Sequence, residues 1–154
     1  MSEMMIDSIR VSLMNYQRVV ILKEKEADRY LPIWIGPGEA SAIAMQLADM
    51  EFSRPLTHDL LVVVLNGLGG NLRKVIITRV EKNTYYAELI IHRNGEVISV
   101  DARPSDSIAV ALRTEARIFA QDDLLEQATI EITEEEQSGQ TPPKSKGGTP
   151  SETM

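Results

Sequence analysis

Two six-residue segments repeat one order of side-chain chemistry: Arg54-Pro55-Leu56-Thr57-His58-Asp59 and Asp101-Ala102-Arg103-Pro104-Ser105-Asp106. Each places a cation, a rigid turn former, a hydroxyl and a carboxylate just ahead of an apolar run. His58 carries the one side-chain type that ordinarily titrates near neutral pH, so it suits general acid–base work, with Asp59 to orient it or to bind a metal. Asp101 ends a strand-like run and Asp106 opens a helix-like one, so a tight turn between them can bring two carboxylates together. Paired carboxylates of this kind hold a divalent cation such as magnesium or manganese, which activates water and neutralises a phosphate. The same residues also read as ordinary helix starts, with Thr57 and Ser105 as caps and Asp59 and Asp106 complementing the helix dipole. Spacing alone leaves both readings open.

The elements that must position these residues form an α+β pattern. Apolar, β-branched runs at 6–13 and 18–23 flank Met14-Asn15-Tyr16-Gln17 and predict a hairpin. Residues 30–35 alternate, and Pro32 inside them predicts an edge strand because proline cannot donate to a ladder. Gly36-Pro37-Gly38-Glu39 breaks that strand, and apolar residues at helical spacing from Ala40 to Met50 predict an amphipathic helix. A second helix runs from Thr57 to the stop at Gly67-Leu68-Gly69-Gly70; its Val62-Val63-Val64 run would also suit a strand, but cap and stop favour helix. Strands at 72–80, 85–92 and 97–101 follow, joined by Glu81-Lys82-Asn83-Thr84 and by Arg93-Asn94-Gly95-Glu96, a strong hairpin signal. A third helix begins at Ser105, a short strand covers 118–120, and Asp122-Asp123-Leu124-Leu125 opens a last helix. The expected fold is a single two-layer α+β domain over residues 1–133, with an antiparallel or mixed sheet and three to four helices. Three strands followed by an Arg-Pro helix start occur twice, which suggests a loose internal duplication.

Composition bounds the function. The chain has 154 residues, enough for one domain with a real core, and a net charge of -7. That charge excludes a broad basic surface for gripping phosphates, so any nucleic-acid function must rest on a local patch. Residues 134–154, with Glu134-Glu135-Glu136, Pro142-Pro143 and Gly147-Gly148, hold too little apolar material to offset ordering entropy, and are expected to be a disordered acidic Pro/Gly/Ser tail. With no cysteine, disulfides and thiolate metal sites are ruled out. No stretch reaches the ~18 apolar residues of a membrane span, and the N-terminus has no signal-peptide pattern, so a cytoplasmic protein is expected.

His92 reads as a surface residue, Trp34 as a packing residue, and Glu39 as an acid placed for a helix dipole, with any functional role secondary. The basic residues Arg73, Lys74 and Arg79, and Arg113 with Arg117, are too thinly spread to mark a nucleic-acid patch. A glycine-rich phosphate loop, a dinucleotide fingerprint, a His-Glu-x-x-His helix and an acid-x-Lys nuclease core are all absent from the sequence.

Leu31-Pro32-Ile33-Trp34-Ile35-Gly36 with Glu39-Ala40 and Ala42-Ile43-Ala44, then Arg54 to Leu60, then Asp101 to Ala109, occur in an order that resembles the bifunctional nuclease family across about residues 6–132. The resemblance implies a single α+β domain that cleaves DNA and RNA. On that reading the catalytic candidates are His58, Asp59, Asp101 and Asp106, and the metal ligands Asp59, Asp101 and Asp106. Arg54 and Arg103 would clamp phosphate while Thr57 and Ser105 contact substrate. The alternative is a non-catalytic binding or regulatory module whose Arg-Pro helix starts receive an anionic ligand or a protein partner. The apolar surface implied by an alanine- and methionine-rich helix beside several strands also predicts a homodimer or higher homo-oligomer, with no membrane partner.

Overall fold

The computed structural model describes residues 1–131; the tail expected over 134–154 lies outside them. Eleven elements follow one another: β1 (Ser2–Val11), β2 (Arg18–Glu24), β3 (Tyr30–Ile35), α1 (Pro37–Leu47), α2 (Thr57–Gly67), β4 (Asn71–Glu81), β5 (Thr84–Arg93), β6 (Glu96–Ala102), α3 (Pro104–Thr114), β7 (Arg117–Ala120) and α4 (Asp122–Ala128). The strands form one seven-stranded mixed sheet in the order β3-β2-β1-β7-β4-β5-β6. It is two antiparallel meanders joined by β7, which runs antiparallel to β1 and parallel to β4. The α+β expectation holds, and β3 is an edge strand, as Pro32 requires.

Period-two alternation explains the packing. Val20 and Leu22, Leu31 and Ile33, Val75 and Ile77, and Ala87 and Leu89 are buried in one cluster with Ile43 of α1 and Leu124 and Leu125 of α4. At its centre lies α3, whose Ile108, Ala109, Val110 and Ala111 are almost wholly inaccessible. The small side chains of α3 allow a helix to sit close against the sheet and its neighbours. In the β5–β6 turn Asn94 and Gly95 both take positive φ, 49° and 78°, the backbone of a type I′ hairpin.

Three sequence expectations need correction. Thr57 and Ser105 do not cap their helices: the cap positions are Leu56 and Arg103, and each hydroxyl residue lies inside the first turn. Proline at the first helical position of α3 sets that cap two residues early, at Arg103, because its fixed φ suits the place. Trp34 is more than half exposed instead of packing in the core, since the alternation that buries Ile33 turns it away. Finally, the two meanders match by a different register. The helix after β3 begins at Gly36-Pro37 and the helix after β6 at Arg103-Pro104, so Arg54-Pro55 before α2 has no counterpart.

Candidate active site at three helix starts

Helices α1, α2 and α3 each carry a carboxylate at their third residue: Glu39, Asp59 and Asp106. Acids there complement the partial positive charge of a helix N-terminus. Tertiary packing brings the groups around these starts together. Arg103, just before α3, donates from Nε to Asp106 Oδ2 at 2.8 Å and from Nη2 to Glu39 Oε1 at 3.0 Å. It thereby ties the α1 start to the α3 start. The Glu39 carboxylate lies over the backbone of Gly36, where a Cβ would collide with Oε2.

His58 Nε2 lies 2.9 Å from Asp106 Oδ1. Burial opposes ionisation of Asp106, but hydrogen bonds from Arg103 and His58 outweigh it and hold the carboxyl below its ordinary range. An ionised carboxylate only accepts, so Nε2 carries the proton and donates, leaving the Nδ1 lone pair as the basic position of a neutral imidazole. An aspartate that fixes a histidine tautomer in this way is the orienting half of a general-base pair.

The pair separates two depressions, and Thr57, His58 and Asp106 line both. On one side is the more polar of the two, a groove of about 360 Å³ between α1 and α2 where Glu39 and Arg103 stand beside Met45 and Leu56. On the other is an apolar slot of about 580 Å³ between α2 and the β5–β6 edge, walled by Leu60, Leu61, Val64, Leu89 and Val100, with Asp101 on its lining. Arg103 and Asp101, two residues apart in sequence, thus serve different depressions. Ser105 lines neither; it is buried beside Arg103 in a smaller cavity of about 260 Å³ that also includes Trp34 and Tyr85.

Asp59 turns away from that pair. Its Oδ2 accepts from the Leu56 amide at 3.0 Å, the backbone half of a capping box, and its Oδ1 accepts from Arg113 Nε at 2.7 Å. Those two bonds, the amide first, hold its carboxyl below the usual aspartate range. Arg113 is 5% exposed and also donates to the carbonyls of Ala109 and Ala42, so one guanidinium joins all three helices. The sequence names Arg113 only among thinly spread basic residues and gives Glu39 a minor place. No local signal pairs Arg113 with Asp59, though an arginine in the last turn of a small-residue helix is a cation with somewhere to reach.

The four oxygens of Asp59 and Asp106 are therefore each engaged by a cation, an imidazole or an amide. Among the described residues no group of three or more His, Asp or Glu side chains stands close enough to hold a metal ion. As placed, Asp59, Asp101 and Asp106 do not fit a shared divalent cation. Arg54 is exposed and has no hydrogen bond or ion pair among the described residues, and His92 is exposed as expected.

Fold and site together define a small α+β domain with a histidine–aspartate pair and an arginine at converging helix starts. The chain belongs to the bifunctional nuclease domain family, whose sequence model matches residues 20–133. It is 45% identical over 135 residues to an uncharacterized protein of Mycobacterium tuberculosis, covering 88% of this chain and 80% of that one. It is 27% identical over 106 residues to bifunctional nuclease 1 of Oryza sativa subsp. japonica and 26% over 98 residues to bifunctional nuclease 1 of Arabidopsis thaliana. Those alignments cover 67% and 62% of this chain but only 32% and 30% of the plant proteins. No helix among the described residues is long and apolar enough to cross a membrane.

Proposed function

We propose that this domain hydrolyses phosphodiester bonds in DNA and RNA, using the polar groove beside His58. The 2.9 Å contact between His58 and Asp106 carries the reading. His58 Nδ1 takes the proton of the attacking water as its oxygen bonds to phosphorus and the bond to the leaving sugar oxygen breaks; that oxygen takes a proton from solvent and the imidazolium later gives its own back to water, while Asp106 holds the imidazole in place and Arg103 meets the phosphate oxygens once Glu39 releases it. Thr57 offers a hydroxyl at the same place. Asp59 acts at a distance, as the partner that holds the α2 start through Arg113. The fit of donors described above favours chemistry carried by these side chains, and a divalent cation would enter only by displacing an arginine or by using Asp101 with water.

The test is cleavage of single-stranded DNA and RNA oligonucleotides by the purified chain, with magnesium, with manganese and with a chelator. His58→Ala should lower the rate by about two to four orders of magnitude near neutral pH while leaving the fold intact. Equal cleavage by parent and variant would remove His58 from the chemistry. No cleavage by the parent under any of these conditions would make the binding-module reading the better one.

A further inference from the structure

Trp34 is the only tryptophan of the chain and is 59% exposed. With Arg103 it lines the cavity of about 260 Å³ that also holds Ser105. Ser105 is 6% exposed, and its hydroxyl makes no hydrogen bond among the described residues. No polar side-chain atom there is both sealed from solvent and unpaired, so the accessible part of Ser105 includes Oγ, which opens on the cavity. A nearly buried hydroxyl of this kind takes its partner from whatever enters.

Two neighbouring depressions share the walls of this cavity. Arg103 also lines the groove beside His58. Asn83 and Tyr85 also line a depression of about 350 Å³ that continues past Lys82 to Gln127 of α4. The three make one path from the histidine–aspartate pair, past Trp34, to the β4–β5 turn. Lys82 and Asn83 have φ of 48° and 62° in a two-residue hairpin between the paired Glu81 and Thr84, so that end of the path is set by a tight turn.

We propose that this path seats a single strand of nucleic acid, and that the cavity takes the unpaired base next to the scissile phosphate, stacked on the Trp34 indole with its edge on Ser105 Oγ. This inference rests on the nuclease reading for the chemistry at His58, but the seat itself needs no cleavage. The cavity is smaller than the roughly 300–1,000 Å³ of pockets for drug-sized ligands, so it admits one ring system. Continuation on both sides favours a strand over a free nucleotide. Arg103 and Lys82 are the cations on the path, and Arg103 is shared with Glu39 and Asp106. With so little charge to hold phosphates, the ring face has to supply much of the attraction. An indole stacks on any base it meets, which makes the seat tolerant of sequence, while a duplex keeps its bases stacked on each other and out of reach.

The probe is an octathymidylate with phosphorothioate linkages, which resist hydrolysis, added to the full chain. Trp34 fluorescence should be quenched by it and left unchanged by a blunt duplex of the same length. By anisotropy of a labelled octathymidylate, Trp34→Ala should weaken binding by about 5- to 150-fold. Trp34→Phe should restore most of that loss, and Ser105→Ala should cost several-fold. Tyr16→Ala, which removes an exposed aromatic ring from the β1–β2 turn, should change nothing. Far-ultraviolet spectra should be the same for all of these chains. Quenching together with the Trp34→Ala loss, in a parent that cleaves no oligonucleotide, would uphold the seat and remove the nuclease reading. No quenching, or Trp34→Ala binding as the parent does, would overturn the seat whether or not the parent cleaves. Equal quenching by the duplex, or thymidine monophosphate binding as tightly as the octathymidylate, would also overturn it.

Discussion

Asp59 at the start of α2 and Arg113 near the end of α3 stand 54 positions apart in sequence and meet at 2.7 Å. This pair does not face the polar groove, but it holds the helix that carries His58 against the helix that carries Asp106.

Arg113→Met should therefore cost about 2–3 kcal/mol of stability, less than a fully buried pair would because Asp59 is partly open to water. The loss combines an unmatched carboxylate with unpaired carbonyls at Ala42 and Ala109. Arg117→Met, which breaks the exposed pair with Glu3, should leave stability almost unchanged, because water screens that pair. Urea denaturation of both variants measures the difference.

Asp106→Asn separates orientation from folding. An amide at the third position of α3 can still hydrogen-bond, so stability should fall by about 1 kcal/mol or less. It no longer demands a proton on Nε2 of His58, and cleavage should drop by about two to four orders of magnitude. Rates across pH, with melting curves as the control, check this.

Glu39→Gln should strengthen the hold on anions. With one of its two carboxylates neutralised, Arg103 is freer to meet a phosphate, and the KM for an oligonucleotide should fall several-fold while kcat changes little. Gly36→Ala pushes the Glu39 carboxylate off its seat over the backbone and should act in the same direction. Steady-state kinetics at two salt concentrations would show both effects.

Acid should loosen the site by a sign that can be worked out. The carboxyls of Asp59 and Asp106 are lowered in the folded state, so the unfolded chain takes up protons first as pH falls. Their stabilisation is complete above the ordinary aspartate value of about 4 and is lost as pH drops through the lowered folded values. Glu3, brought down to about 2 by hydrogen bonds from Arg117 and then Lys25, follows the same rule on the surface. Melting midpoints between pH 6 and pH 2 should fall in the parent and fall less steeply in Asp59→Asn.

Much of the fold was legible in the chain because it is written in local terms. Alternation placed Ile33 inward, Pro32 marked an edge, Asn94-Gly95 fixed a hairpin, and glycines after α2 stopped it. The helix starts were also legible, since acids at their third positions answer a dipole that every helix has. What required the tertiary structure was which starts meet. The chain repeats Arg-Pro before Thr57 and Ser105, yet only Arg103 joins the groove, and its second partner is Glu39, 64 residues away. The role of Arg113 was invisible for the same reason: a salt bridge across 54 residues leaves no periodicity behind it. Propensity and alternation act over a few residues, so the sequence by itself determined the elements and their faces. Convergence depends on how the sheet stacks α1, α2 and α3 side by side, and that packing alone decided that His58 has Asp106 for a partner while Asp59 does not share their groove.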